Sequence, residues 1–313
     1  MLASLVKLKL YSKAIPIEFQ TFKRGVFMKI LVLTSGGDAP GMNQTIYQLK
    51  KSFKDDLYAS LEGFKGLING NIVKVPDCRK EKNKAGSIIF SSRCPEFATR
   101  EGFSKALENA KKFDYIIVLG GNGSYKGCKE LNENGVKTVF IPSTIDNDVD
   151  ISEYSQGFDS AVSACEFYIK NSMPSMQAFN RCAIFEVMGR KCDKIAKETF
   201  LSVKGDYLIA NEEDIDYDKI SRLILDNHKQ HRASSIILRE NILKIDDFQA
   251  ELSKLCPEVE IKTIIIGYIQ RGISPTKKEL KISKQFARYA TRAIKAGRKS
   301  TAVVVKDNKI TII

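Results

Sequence analysis

Histidine is almost missing from this 313-residue chain: His228 and His231 are the only two, and both sit in one polar stretch, 226–231. Ser–His–Asp triads and three-histidine metal centres therefore have almost no material, and both imidazoles are expected to face solvent. Paired cysteines are missing too. The seven cysteines are odd in number and scattered, with no C-x-x-C to hold zinc, a cluster or a redox disulfide. Reduced thiols in a cytoplasmic setting fit that usage. No apolar run is long. Charged residues interrupt every one, and a stretch such as 115–119 falls far short of the ~20 residues a spanning helix needs, so no membrane crossing is expected. Runs of five or more Lys/Arg are also missing, although the formal net charge is +13. The 50 basic residues read as a solvated surface able to attract phosphorylated metabolites, and dedicated nucleic-acid binding is not expected.

What is present is an ordinary globular balance, 43% hydrophobic and 28% charged, in a chain long enough for one large domain or two of usual size. Residues 1–27 carry several Lys/Arg against one acid, Glu18, and Lys7, Lys9 and Lys13 break the segment before any secretory apolar core develops. They read as an N-terminal extension, with Met28 as the candidate true start and an organellar presequence as the second reading.

From Met28 onward short β-branched runs alternate with longer periodic segments. The pattern predicts strands at 30–33, 116–119, 138–141, 182–187, 235–238, 263–266 and 302–305. It predicts helices at 42–53, 103–112, 124–134, 160–172, 195–201, 217–227, 245–255 and 281–296. Such alternation implies an α/β fold of mainly parallel sheets flanked by helices. With no internal repeat and no Pro/Ser linker, any domain division comes from the chain crossing between two sheets.

Ligands of open α/β sheets bind beyond the carboxyl ends of the strands, so the loops after each strand carry the information. After the first strand comes Thr34-Ser-Gly-Gly-Asp-Ala-Pro-Gly-Met-Asn43, and after the second long apolar run comes Gly120-Gly-Asn-Gly-Ser124, with Gly127 one turn on. Glycine turns opening helices let backbone N–H groups approach a phosphate, although each alone is as readily structural. Neither fits a P-loop or a Rossmann fingerprint. The third loop, Pro142-Ser-Thr-Ile-Asp-Asn-Asp148, sets Asp146 and Asp148 two residues apart, which suits a metal–phosphate site and a proton acceptor or, more plainly, a solvated Asx turn. Glu186-Val-Met-Gly-Arg190, Arg239-Glu240 and Gln270-Arg271-Gly272 place guanidinium groups at further strand ends, as a second phosphate would require.

In order and spacing these segments resemble the phosphofructokinase family, from Met28 nearly to the C-terminus. Residues 34–43 are similar to its TSGGDAPGMN, 120–124 to GGDGS, 142–148 to PGTIDND, 186–190 to EVMGR and 267–272 to GHIQRG. The resemblance implies a two-domain α/β kinase with the active site in the cleft between domains. Residues 28–157 plus 270–313 would bind the nucleotide and 158–269 the sugar phosphate. It implies an ATP-dependent 6-phosphofructokinase of glycolysis, cytoplasmic and tetrameric, using Mg²⁺ to phosphorylate the 1-hydroxyl of fructose 6-phosphate.

By the same resemblance Gly37 and Arg93 contact the transferred phosphoryl group, with Thr144 and Arg190 close by, and Asp146 is the base. Asp148 and Asn122 lie at the metal. Gly121, Gly123, Ser124 and Gly127 hold nucleotide phosphates, and Phe64 meets the adenine. Met188, Gly189, Glu240, Tyr268 and Arg271 hold the sugar phosphate, and Arg181 and Lys262 reach the 6-phosphate of a neighbouring subunit. Gly123 and Ser143 favour ATP, since pyrophosphate-using relatives typically have Asp and Lys there. Departures are Asn122 for an Asp, Asp193 for a Gly, Tyr268 for a His, Lys262 for an Arg, Tyr47 for an effector-site Arg, and an end at Ile313 before the usual helical tail. They leave open a catalytically weak regulatory homologue, with a pyrophosphate-dependent enzyme as the other alternative.

Overall fold

Successive side chains of a strand point to opposite faces of its sheet, so an uninterrupted apolar run is a strand covered on both sides. The computed structural model, which describes residues 28–313, follows that rule; the expected extension at 1–27 lies outside the described residues. Strand β1 (Ile30–Ser35) leads through α1 (Met42–Phe53), β2 (Leu57–Ser60), α2 (Phe64–Asn69), β3 (Ile72–Lys74) and β4 (Ser91–Ser92). Next come α3 (Arg100–Ala110), β5 (Tyr115–Gly120), α4 (Asn122–Glu133) and β6 (Thr138–Pro142). Helix α5 (Phe158–Ala178) carries the chain to β7 (Cys182–Val187), α6 (Lys194–Val203), β8 (Tyr207–Ile209), α7 (Tyr217–Lys229), β9 (Ser234–Arg239), α8 (Ile245–Leu255) and β10 (Ile261–Ile265). It returns through α9 (Ile269–Gly272) and α10 (Lys277–Lys295) to β11 (Ser300–Lys306) and β12 (Lys309–Ile312).

Two sheets result. One runs β12-β11-β6-β5-β1-β2-β3, with β4 also beside β1, and is parallel except at its β2–β3 and β11–β12 edges. The other, β10-β7-β9-β8, is wholly parallel. The pleat sorts their residues into three apolar layers. Leu31, Leu33, Ile116 and Val118 fill the outer face of the large sheet, and Cys182, Ile184, Ile236 and Leu238 that of the small one. Ile30, Val32, Ile117, Ala183 and Phe185, from both sheets, share the central layer with Phe286 of α10.

The expected long elements are present, and the differences have local causes. Helix α5 runs to Ala178 rather than stopping at 172. Its Pro174 forfeits the bond to the carbonyl four residues back, but Lys170 and Pro174 are both exposed, so water can take that carbonyl. Five strands had no counterpart in the reading, namely β2, β3, β4, β8 and β12, because two to four residues give a period-2 pattern too little length to register. Of the histidines, His231 is exposed as expected, whereas His228 is half-buried with Nδ1 3.1 Å from the Asn180 carbonyl.

Where α10 meets α5, Glu279 is completely buried. Its Oε2 accepts the Tyr154 hydroxyl at 3.0 Å, and its Oε1 has no hydrogen-bond partner among the described residues. Burial pushes its carboxyl from 4.5 up to about 8, with Asp159 adding to the rise and the Tyr154 hydrogen bond opposing it. A carboxyl raised on folding contributes stability that is complete below its unfolded value and lost as pH rises through its folded value. Thermal melts from pH 5 to pH 9 should therefore show the parent losing stability relative to Glu279→Gln. Parallel curves would mean that Glu279 is ionised throughout.

Candidate active site

Strands β1, β5 and β6 are neighbours in register, Thr34 opposite Leu119 and Gly120 opposite Pro142, so the loops that follow them leave the sheet side by side. At Gly120 the packing admits no side chain: a Cβ would lie 2.3 Å from Ser124 Oγ and 2.7 Å from the Ser35 carbonyl oxygen. That closeness draws the start of α4 against the end of β1, where Ser124 Oγ donates to the Ser35 carbonyl at 3.3 Å. The unpaired N–H groups of the first turn of α4 then open toward a cleft of about 630 Å³ that the Gly36–Gly37 turn also lines.

The acidic loop forms the floor. Asn147 takes a left-handed backbone, φ 53°, and so turns its two neighbours apart: Asp146 is buried and Asp148 exposed. Asn147 Oδ1 accepts the Ser155 N–H at 2.7 Å, its Nδ2 donates to the Glu153 carbonyl at 3.2 Å, and the Asn147 carbonyl accepts from Lys194 Nζ at 2.7 Å. The Asp146 N–H donates to Thr144 Oγ1 at 3.3 Å. One carboxylate oxygen of Asp146, Oδ1, is buried with no hydrogen-bond partner among the described residues. Burial pushes the Asp146 carboxyl above the ordinary range; Arg271 and Arg190 pull it down, while Asp148 and Glu240 push it further up.

The opposite wall comes from the second sheet and the chain's return. Glu240 Oε1 accepts the N–H groups of Gly189 at 3.1 Å and Arg190 at 2.9 Å, locking a sharp turn in which Arg190 has φ 53°. The Arg239 guanidinium donates to the Arg190 carbonyl from the other side. Completely buried Gln270 accepts the Met188 N–H at 3.1 Å, tying the two loops that flank this turn. Arg271 crosses to the first glycine loop, donating to the Asp38 carbonyl at 3.0 Å and lying where a Cβ on Gly37 would be only 2.4 Å from Nη1.

One cleft thus gathers most of the expected positions. Gly37, Phe64, Arg93, Gly121, Asn122 and Gly123 line it on the glycine-loop side, with Ser124 and Gly127 behind. Thr144, Asp146 and Asp148 line the floor, and Arg190 and Arg271 the far wall. Met188, Gly189 and Glu240 adjoin it through the bonds just described. Tyr268 is 81% exposed. Arg181 and Lys262 lie elsewhere, on the β7–β10 edge, where both pair with Glu260, Lys262 at 2.6 Å. Asn122, expected at a metal, has both ends of its amide engaged: Nδ2 donates to the Asp148 carbonyl at 2.7 Å and Oδ1 accepts the Asp150 N–H at 3.2 Å. Phe97 and Gln270 were missed. Phe97 packs on Phe64 at 4.2 Å between ring centroids, against Gly127, and a Cys-Pro-Glu-Phe turn holds no chemical signal of that.

A sequence profile of the family described as Phosphofructokinase matches residues 29–294. The chain belongs to the phosphofructokinase family. It is 35% identical to the ATP-dependent 6-phosphofructokinase of Clostridium tetani over 290 residues, 90% of this chain and 91% of that protein. It is 31% identical to the enzyme of the same name from Ligilactobacillus salivarius over 290 residues, 90% of each. Among solved structures, Saccharomyces cerevisiae phosphofructokinase superposes with TM-score 0.79 at 25% identity, over 91% of this chain and 44% of that longer one. A pyrophosphate-dependent phosphofructokinase from Marinobacter aquaeolei shares the fold at 15% identity, with TM-score 0.78, over 91% of this chain and 82% of that one. Within the phosphofructokinase frame Asp193, where a glycine is usual, does not line the cleft; it pairs with Lys197 at 2.6 Å beside the start of α6.

Proposed function

We propose that this chain transfers the terminal phosphoryl group of ATP to the 1-hydroxyl of fructose 6-phosphate, as an ATP-dependent 6-phosphofructokinase of glycolysis. The observation that carries the reading is Asp146: a buried carboxylate with one unpartnered oxygen, set between the glycine loops and two guanidinium groups. Such a group accepts the sugar hydroxyl's proton as its oxygen attacks phosphorus, while Arg190 and Arg271 offset charge on the phosphates. The amides of the Gly37 turn and of Gly123 and Ser124 cradle the nucleotide, with Arg93, Thr144 and Gly121 alongside, and Phe64 backed by Phe97 offers an aromatic wall to the adenine. Met188, Gly189, Glu240, Tyr268 and Arg271 surround the sugar phosphate. On this division 28–157 plus 270–313 serve the nucleotide and 158–269 the sugar.

No group of three metal-ligating side chains exists among the described residues. Mg²⁺ would not require such a group, because it keeps water and substrate phosphates as ligands and needs one or two protein carboxylates. Exposed Asp148 would hold it, and the ion supplies charge neutralisation on the transferring phosphoryl group. Ser143 supports ATP over pyrophosphate, because its hydroxyl is buried and bonded to Gln156 Oε1 at 2.9 Å.

Arg181 and Lys262, on an edge shared with exposed Phe179 (64%) and Ile265 (62%), support a homo-oligomer, tetrameric by resemblance, in which they serve a neighbour's sugar phosphate. All seven cysteines are free, as a cytoplasmic enzyme would have them, and no helix among the described residues is long and apolar enough to cross a membrane.

A coupled assay tests the proposal. Fructose 1,6-bisphosphate should form with ATP and Mg²⁺ and not when pyrophosphate replaces ATP. Tight binding of both substrates by calorimetry without turnover would instead identify a regulatory homologue.

A further inference from the structure

The loop that carries Asp146 and Asp148 leaves β6 at 142 and reaches α5 only at 158, a span with almost no regular structure to fix it. Side-chain amides supply the fixing. Gln156 Oε1 accepts the Ser143 hydroxyl at 2.9 Å while its Nε2 donates to Thr45 Oγ1 at 2.7 Å. Asn147 joins the Glu153 carbonyl to the Ser155 N–H. Asn122 does the same for the segment nearest the chemistry, joining the Asp148 carbonyl to the Asp150 N–H. Neither of those backbone groups has another hydrogen-bond partner among the described residues. Between them Val149 is buried in the outer apolar layer, so the turn is held at its centre by packing and on both flanks by one amide.

The residue type follows from the partners. A carbonyl needs a donor and an N–H needs an acceptor, and among side chains of this length the amide alone offers both. A carboxylate could still accept from Asp150 but would set an oxygen against the Asp148 carbonyl, leaving that carbonyl unpaired and repelled. A negative charge in the first turn of α4 would gain from the helix dipole, but that gain is screened at a half-exposed site and smaller than the loss of the clamp.

We infer that Asn122 is a positioning residue that clamps the 148–150 turn and thereby aims Asp148, and is not itself a metal ligand. The inference rests on the kinase reading for its rate consequences and on the hydrogen bonds alone for its structural ones.

Two substitutions test it. On the clamp reading Asn122→Ala and Asn122→Asp both loosen the turn, and kcat falls about 10-fold or more in each, as for other residues that orient a metal-binding group. Asn122→Asp gains nothing over Asn122→Ala, and the Mg²⁺ concentration for half-maximal rate does not fall. On the ligand reading the order reverses, with Asn122→Asp fastest and needing least Mg²⁺. Hydrogen exchange at 146–152, measured on the full chain without nucleotide or metal, separates this inference from the kinase reading, because it needs no turnover. Faster exchange in both variants supports the clamp even in a chain that catalyses nothing. Unchanged exchange in both, or a lower Mg²⁺ requirement with higher kcat in Asn122→Asp, overturns it.

Discussion

Asp146→Asn should lower kcat by at least ~10²-fold while leaving the KM for fructose 6-phosphate little changed, and should raise the thermal midpoint of the protein at neutral pH. Both effects come from one cause. The Asp146 carboxyl is buried with an unpartnered oxygen, and burial pushes its titration above the ordinary carboxylate range despite Arg271 and Arg190. A carboxyl so raised costs stability once ionised: its contribution is complete below the unfolded value and is lost as pH rises through the folded one. Wherever Asp146 is ionised in the folded protein that cost is present, and the amide, of the same shape without the charge, removes it. On the proposed kinase reading catalysis needs the ionised form, so the same charge that weakens the fold would accept the proton, a trade of stability for activity. Melting curves and steady-state rates on one preparation check the pair. Undiminished turnover would take the base role from Asp146; a lost rate with a lowered midpoint would show that the two guanidinium groups outweigh the burial.

The sequence made the sheet-forming runs legible because strands covered on both faces must be largely apolar, as 30–33 and 116–119 are throughout and 182–187 is apart from Glu186. The three loops were legible for a related reason. Gly120 stands where no Cβ fits, and Asp146 and Asp148 must be acids if they are to serve a metal and a proton, so the residue types are set by chemistry and survive as motifs. What stayed hidden depends on direction and partners. Nothing in the residue type tells whether Asn122 turns its amide toward a metal or toward the Asp148 carbonyl, and only the folded loop shows the second. Phe97 behind Phe64, and Gln270 accepting the Met188 N–H, are contacts between segments far apart in the chain, with no local periodicity to betray them. Arg181 and Lys262 could be assigned by resemblance alone, and their meeting at Glu260 appears only once β7 and β10 pair.

Arg271→Met should lower kcat/KM for fructose 6-phosphate by ~10²–10³-fold and move the acid limb of its pH profile to higher pH. The fall has the size expected when one preorganised donor that offsets developing charge is removed from a reaction site. Its pH signature is the informative part. Arg271 pulls the Asp146 carboxyl down against the burial that pushes it up, so losing the guanidinium leaves burial less opposed and raises the folded pKa further. The base is then protonated at a higher pH than in the parent, and rate is lost earlier on acidification. Arg271 also spans to the Asp38 carbonyl at 3.0 Å, so a loosened glycine loop could by itself weaken nucleotide use. Arg271→Lys distinguishes the two effects: the ammonium keeps the charge near Asp146 but gives up the planar fork that holds the loop. If the charge acts on Asp146, the lysine variant keeps the parent's acid limb while its KM values rise. If Arg271 only braces the loop, neither substitution moves the acid limb, and the KM for ATP rises at least as much as that for the sugar phosphate.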